Sequence, residues 1–439
     1  MNSRDKKSVP AVVCFLLALS LLFRYPLDAG AGEKVESEWG GQIKAQGFVS
    51  REEKSSLFAP VGTGTFLDGN VQFRINNDLF FSENTYFTTH YEAVISGGDR
   101  RRRANALDRL FPGLLNIGFL AGAPVEDDRR FFDFTKAVSE DDRYVLYHRL
   151  DRFFLGLQRQ WGALRVGRQA VTWGNGLLFN PMDLVNPFSP TDIERDYKIG
   201  DDMVNVSIAT DSLGELQFLY LPRRDPATRD LTWNESSLAG KLHLLRGTNE
   251  LDVMAAKHFR DAVVGAGSTG YLGDAAWRLD ATLTFPGEGT RRSHYLSLVA
   301  NIDYSWDFWG KNWYGFIELY YNGLGNDRYA LALADPAIAG RLDRGDLFVL
   351  GRTYLSGHVR VELHPLFNLF LTAINNIEDP SGILQPRAMW DVAEDVQVTV
   401  GGNVAYGEKG TEFGGFEVAG TGLFTGPPDS AFLWLTYFF

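Results

Sequence analysis

The chain has 439 residues, rich in glycine (46) and in aromatics (32 Phe, 17 Tyr, 10 Trp), with only 5 Met and 1 Cys. A mean hydropathy of −0.16 excludes a bundle of apolar transmembrane helices, but fits a sheet that hides its apolarity in every second residue. The net charge of −12 excludes the basic face that nucleic acid requires, so no nucleic-acid partner is expected.

The N-terminus reads as a secretory signal peptide. Arg4, Lys6 and Lys7 precede an apolar stretch from Pro10 to Phe23, and Ala29-Gly30-Ala31 offers a small-x-small cleavage site. The expected division is a signal peptide over 1–31 and a mature chain over 32–439. Arg24 ends the apolar run short of the roughly 20 residues that a spanning helix needs. Cys14 falls inside the signal, so the mature chain has no thiol for a disulfide, a thiolate metal site or a Cys-x-x-Cys-His haem attachment. No later run is long and apolar enough for a helix. The exported chain is therefore either a soluble periplasmic β-protein or a spanning barrel, the alternative to helices that satisfies its backbone in hydrocarbon.

Alternation with period 2 favours the barrel. Val71, Phe73, Ile75, Leu79 and Phe81 oppose Gln72, Arg74, Asn76 and Asp78; Trp277, Leu279, Ala281, Leu283 and Phe285 oppose Arg278, Asp280, Thr282 and Thr284. The same pattern marks 355–363 and 396–406. Strands are predicted at 39–50, 70–81, 85–96, 144–160, 163–173, 201–211, 214–222, 237–246, 249–258, 261–269, 274–286, 293–306, 311–322, 350–363, 366–377, 382–392, 396–406 and 430–439. Short turns (Ser82-Glu83-Asn84, Trp161-Gly162, Gly247-Thr248, His364-Pro365) then fall at one end. Most long connections (51–69, 97–143, 174–200, 223–236, 323–349, 407–429) fall at the other. Short periplasmic turns with long extracellular loops are the habit of outer-membrane barrels. The predicted fold is all-β, a transmembrane antiparallel barrel of about 18 strands. Sixteen would follow if the weaker patterns at 261–269 and 382–392 failed. Tyr86, Phe87, Trp173, Trp277, Trp306, Trp313, Tyr321 and Tyr406 sit where aromatic girdles belong.

The chain closes on Phe432-Leu433-Trp434-Leu435-Thr436-Tyr437-Phe438-Phe439. Leu435, Tyr437 and terminal Phe439 on one face resemble the closing strand of Gram-negative outer-membrane proteins, which the barrel-assembly machinery reads. Gly167-Arg168-Gln169 with Trp173-Gly174, followed by Asn180-Pro181 and Asn186-Pro187, resembles a motif of a group of proteobacterial porin-like barrels. That resemblance implies a channel in the outer membrane of a Gram-negative bacterium, with no catalytic residues.

Within this frame, 174–200 is the candidate constriction, carrying Asp183, Asp192, Glu194, Arg195, Asp196 and Lys198 beside the apolar Leu177, Leu178, Phe179 and Phe188. The predicted lumen face holds Arg74, Asp78, Glu92, Arg278, Asp280, Asp303, Glu318, Arg360 and Glu362. Both signs are present, so weak ion selectivity is expected. Arg100 to Arg103 suggest either a phosphate grip on lipopolysaccharide or a solvated run balanced by Asp99, Asp108, Asp127 and Asp128. The seven histidines show no metal-ligand spacing, and neither Gly-x-Ser-x-Gly nor a phosphate loop occurs, so no metal, no cofactor and no enzyme chemistry are expected. The expected function is passive diffusion of small hydrophilic solutes or ions. The alternatives are a structural sheath of a porin–cytochrome electron conduit and a lipid-acting barrel enzyme. Expected partners are lipid, lipopolysaccharide and the assembly machinery, with a homo-oligomer or a periplasmic cytochrome left open.

Overall fold

In a computed structural model, residues 35–112, 127–192, 196–210, 214–287, 292–418 and 420–439 are described; the signal-peptide segment lies outside them. The strands are β1 (Glu36–Glu52), β2 (Gly64–Ser82), β3 (Thr85–Gly98), β4 (Thr135–Glu140), β5 (Tyr144–Arg159), β6 (Gly162–Gln169) and β7 (Asp201–Thr210). They continue as β8 (Gly214–Leu221), β9 (Ser237–Arg246), β10 (Asn249–His258), β11 (Asp261–Leu272), β12 (Ala275–Phe285), β13 (Tyr295–Phe308) and β14 (Lys311–Asn322). The last are β15 (Thr353–His364), β16 (Phe367–Asn376), β17 (Ser381–Ala393), β18 (Val396–Tyr406), a two-residue hairpin β19 (Phe416–Glu417) and β20 (Phe424–Thr425), and β21 (Asp429–Phe438).

β1 pairs with β2 on one side and with β21 on the other, in register from Gln42↔Phe438 to Arg51↔Asp429, while β18 also pairs with β21. The sheet is thereby closed. Of its 19 strands β4 is an extra, and the other 18 make one antiparallel barrel. Closure leaves no free edge, which is the condition for a sheet to lie in hydrocarbon. The alternation falls as the period demands. Leu279, Phe285, Ile317, Leu319, Leu355 and Val359 face out and are exposed, whereas Asp280, Glu318 and Ser356 between them are buried inside.

The wall has one irregularity that positions the site. A strand was expected to run to residue 173, but β6 leaves the barrel at Gln169. Beyond that point β4 takes its place beside β5, pairing Thr135↔Arg149 through Glu140↔Val145, just past the β5–β6 pairs that end at Phe153↔Arg168. The chain after Gln169 is thus free to turn inward. Trp173, expected in a girdle, is only 3% exposed and gives its indole N–H to Gln217 at 2.6 Å inside the barrel.

The loop end also holds structure that the periodicities did not reveal. Helix α1 (Asp99–Leu110) carries the arginine run. Arg100 pairs with Glu52 (2.9 Å), Arg101 with Glu140, Arg102 with Asp99 (2.7 Å), and Arg103 donates to the Gly62 carbonyl. Arg100, Arg101 and Arg103 therefore brace neighbouring segments, whereas Arg102 pairs within its own helix. Helices α2 (Tyr329–Ala334) and α3 (Pro336–Arg344) lie in the segment read as a loop over 323–349. The signals for α3 are standard ones. The Asp335 carboxylate caps the Ala337 N–H at 2.9 Å, Pro336 occupies the first turn, and Gly345 ends the helix at φ 71°.

Candidate constriction of the lumen

Residues 170–192 and 196–200 lie inside the barrel and are fastened to strands around them. The root of this segment is built by Gly174, whose φ of 82° and whose closeness to Asn180 Oδ1 (2.2 Å from where a Cβ would stand) admit only glycine. Asn175 then gives its side-chain N–H to Asp280 Oδ1 on β12 at 2.9 Å. Beyond Gly176, three consecutive backbone N–H groups converge on one carboxylate: Leu177 (2.7 Å) donates to Glu318 Oε2, and Leu178 (3.1 Å) and Phe179 (2.8 Å) donate to Oε1. Glu318 on β14 is fully buried and also accepts from Asn301. Phe179 stacks on Tyr320 with ring centroids 4.3 Å apart. On the return path Thr191 offers its carbonyl to Gln385 of β17 (3.0 Å), and Asp196 meets Lys44 (2.9 Å) and Gln42 of β1. The Tyr197 ring lies under Arg74, 4.3 Å away.

A buried ion pair ties the two limbs together. Lys198 Nζ meets both oxygens of Asp183 at 2.5 and 2.6 Å and also donates to the Val171 carbonyl. Burial pushes the Asp183 carboxyl up to about 6 against the pull of Lys198, and pulls the Lys198 ammonium down against the pull of Asp183. Removing one partner strands the other charge. Lys198→Met should cost about 3–5 kcal/mol of stability, whereas Asp183→Leu with Lys198→Met should restore most of it. Denaturant unfolding of the two variants in micelles checks this, and equal losses would show that the pair is not the cause.

The other sequence-derived residues are placed as follows. Asp192 is half-buried in the same segment, while Glu194 and Arg195 lie outside the described residues. Arg74 joins Glu92 to Asp151 (3.0 Å), and Asp78 accepts from Thr88. Arg278 reaches Asp303 at 3.3 Å, which also accepts from Tyr314 at 2.8 Å. Arg360 and Glu362 stand half-buried on the inward face of β15. Asp183, Asp196, Lys198, Arg74, Asp280 and Glu318 therefore meet at the segment, while Asp78, Arg278, Asp303, Arg360 and Glu362 line the wall apart from it.

A second inward body, the α2–α3 segment, docks beside the first. Arg341 pairs with Asp261 of β11, and Asp346 accepts from Arg344 (2.7 Å) and faces His258 Nε2 (3.4 Å). A cavity of about 100 Å³ lies between the two bodies, lined by Phe179, Pro187, Phe188, Asp261, Arg341 and Asp346 among others. Burial alone would raise the Asp346 carboxyl, but Arg344 and His258 outweigh it and hold the group well below its ordinary 3.8. A depressed acid stabilises fully at neutral pH, and its contribution fades as pH falls below the unfolded value. The segment is therefore expected to stay docked at neutral pH and to loosen below about pH 4. Hydrogen–deuterium exchange of 336–346, corrected for intrinsic rates, reads this directly; unchanged protection would dismiss the role of the pair.

Solved structures share this architecture. The chain is similar to OccAB1 of Acinetobacter baumannii (9% identity over 92% of this chain and 96% of that one, TM-score 0.51). It is also similar to OccK5 (OpdH) of Pseudomonas aeruginosa and to a BenF-like porin of Pseudomonas fluorescens Pf-5, each at 9% identity over 92% of this chain and 98% of theirs, TM-score 0.50. The fold is that of an outer-membrane porin. No protein-family model and no curated protein matches the chain. At 9% identity the likeness carries the fold and none of the site residues.

Several residues that shape the site escaped sequence reasoning. Lys44, Gln385 and Arg387 were not singled out, and Arg168 (buried among Asp127, Asp202 and the Phe132 carbonyl) was named only as part of a motif and not as a site residue. Lys44, Gln385 and Arg387 occupy inward positions of alternating strands, so strand parity was a usable signal. What the loops bring to them was not readable.

Proposed function

We propose that the protein is an outer-membrane channel through which small hydrophilic solutes diffuse passively, with its narrow point at the segment 170–200. The observation that carries this reading is the tethering of that segment inside a closed barrel by Asp280 of β12, Glu318 of β14, Gln385 of β17 and Lys44 of β1. Under it the short turns face the periplasm, residues 1–31 are removed on export, and Leu435, Tyr437 and Phe439, all exposed on the outer face, present the closing strand to the assembly machinery. Lumen charges of opposite sign pair at short range, as in Arg74 with Glu92 and Arg278 with Asp303, which favours weak ion selectivity.

The mature chain, refolded in detergent and inserted in a planar bilayer, should give steady step-like openings. Its reversal potential in a salt gradient should lie near zero. A folded barrel that passes no current would end this reading. The loop end holds buried apolar clusters, around Trp173 and Met182 and around Leu333 and Ile338, and silence would favour a plugged barrel or a sheath awaiting a partner.

A further inference from the structure

The lipid-facing wall is not uniformly bulky. Gly47 of β1 stands opposite Gly69 of β2, and Gly69 opposite Gly97 of β3, so three glycines lie in one row between Leu433 and Tyr144. They open a groove of about 580 Å³ on the outer face, which Ala45, Val71 and Leu435 also line. A second groove, of about 560 Å³, is cut across β9 to β12, where Gly240 stands opposite Ala255 and Ala266 opposite Ala281. Glycine inside a strand gives up packing and marks a place where something else comes close to the backbone. In hydrocarbon that something is an apolar chain, because a void would forfeit the dispersion contacts of its walls.

Both grooves lie in the half of the wall nearer the loops. On β1 the outer face runs from Trp39, exposed near the turn end, to Arg51 near the loop end, roughly 30 Å along the axis at the usual rise and tilt. Gly47 is the nearer to Arg51, and Ala255 is likewise close to the loop end of β10. Each groove also has cations on its loop side. Arg51 and Arg143 are exposed, and neither has an ion-pair partner among the described residues, whereas Arg100, Arg101, Arg102 and Arg109 of α1 are all paired. Asp429, opposite Arg51, accepts instead from the Ala405 N–H at 3.0 Å. At the second groove Lys257 follows Ala255 on the outer face of β10 and lies over the Trp233 ring (4.6 Å). Its ammonium donates to the Ser236 (2.6 Å) and Trp233 carbonyls, which leaves one of its three donors.

The partner that fits has acyl chains to fill the groove and, above them, a phosphate-bearing head to meet the cations. We propose that the two grooves are binding sites for lipopolysaccharide, with its acyl chains in the grooves and its phosphates on Arg51 and Arg143 at one and on Lys257 at the other. With the loops outside, as in the channel reading, both grooves open into the outer leaflet, where lipopolysaccharide rather than phospholipid is the bulk lipid. The inference rests on that orientation and not on conductance.

Diphosphoryl lipid A is the probe and phosphatidylglycerol the control. Native mass spectrometry of the refolded barrel in detergent should count two lipid A molecules per barrel, held about tenfold more tightly than phosphatidylglycerol. Leucine at Gly47 or Gly240 fills a groove at little cost, since a Cβ would stand no closer than 4.0 Å to the Leu433 carbonyl at the first and 3.4 Å to the Phe218 ring at the second. Gly47→Leu and Gly240→Leu should each remove one lipid A, and the double variant both. Arg51→Gln with Arg143→Gln should weaken the first site about tenfold, and Lys257→Gln the second, the loss of a charge-assisted hydrogen bond at each. Migration on unheated gels shows that each variant is folded; should a leucine variant fail this check, the cation variants decide alone. Equal binding of phosphatidylglycerol overturns the sites in favour of ordinary boundary lipid. Lipid A counts unchanged in the folded leucine variants, or full affinity in the cation variants, overturn them as well. A barrel that binds two lipid A molecules but passes no current keeps the sites and loses the channel, and one that conducts but binds none does the reverse.

Discussion

Glu318→Ala should raise single-channel conductance and its noise without unfolding the barrel. The carboxylate is fully buried and takes the backbone N–H groups of Leu177, Leu178 and Phe179, so one side chain fixes the point where the segment reaches the far wall. Hydrogen bonds to a charged acceptor contribute about 1.5–3 kcal/mol each, so losing three removes roughly 5 kcal/mol of docking. At 1.4 kcal/mol per tenfold, the docked population falls by about three orders of magnitude unless other anchors compensate. Asn175 on Asp280 and the Phe179–Tyr320 stack remain, so the segment should swing about them rather than leave the lumen. Glu318→Gln keeps one acceptor oxygen and should fall between wild type and alanine. The barrel itself should migrate as folded on unheated gels, because no backbone pair between β13, β14 and β15 depends on the carboxylate. Unchanged conductance in a folded alanine variant would remove the segment from the ion path.

The strands were legible because lipid outside and water inside impose period 2 on every one of them. The expected segments at 237–246, 249–258, 311–322 and 396–406 coincide with β9, β10, β14 and β18, and even the weaker patterns at 261–269 and 382–392 are β11 and β17. The failures cluster where that constraint lapses. Val171 and Trp173 continue the alternation of β6, but they are apolar because they pack inside against Met203, Leu219 and Met254, not because they face lipid. Period alone cannot tell one apolar surrounding from the other. Helix α3 buries Ile338 and Leu342 against loop residues and carries cap signals that were there to be read. The site was legible only as far as it was local. Asp183 and Lys198 are separated by 15 residues and could be placed in one segment, whereas Asp196 with Lys44 spans 152. Which wall a segment touches follows from barrel closure and loop path, neither of which is encoded in a window of sequence.

Arg168→Ala should be the most damaging single change in the wall. Its guanidinium is 1% exposed and satisfies Asp202 twice (2.9 and 3.0 Å), Asp127 at 2.8 Å and the Phe132 carbonyl at 2.8 Å, with its face on the Phe134 ring. It therefore joins β6 and β7 to residues 127–134, the approach to the strand that replaces β6 in the wall. Gly167 beside it has φ 129°, and a Cβ there would stand 2.2 Å from the Phe153 carbonyl, so the stretch of β6 that aims Arg168 depends on glycine. Burial would raise Asp127, yet Arg130 and Arg168 bring it down to about 2. Without Arg168, Asp202 loses its guanidinium and Asp127 keeps only Arg130, at a cost of about 3–5 kcal/mol. Lysine cannot reproduce the fork, so Arg168→Lys should recover only part of the loss. Unfolding in micelles followed by tryptophan fluorescence gives the deficit, and its pH dependence identifies the cause. In the wild type the depressed Asp127 stabilises above its unfolded value of 3.8 and loses that contribution as pH falls toward 2. In the alanine variant the buried Asp202 has no counter-charge, so its protonation on acidification removes the stranded charge. The gap between variant and wild type should therefore narrow as pH falls from 7 to 4. A gap that stays constant would assign the loss to packing around Phe134 and not to buried charge.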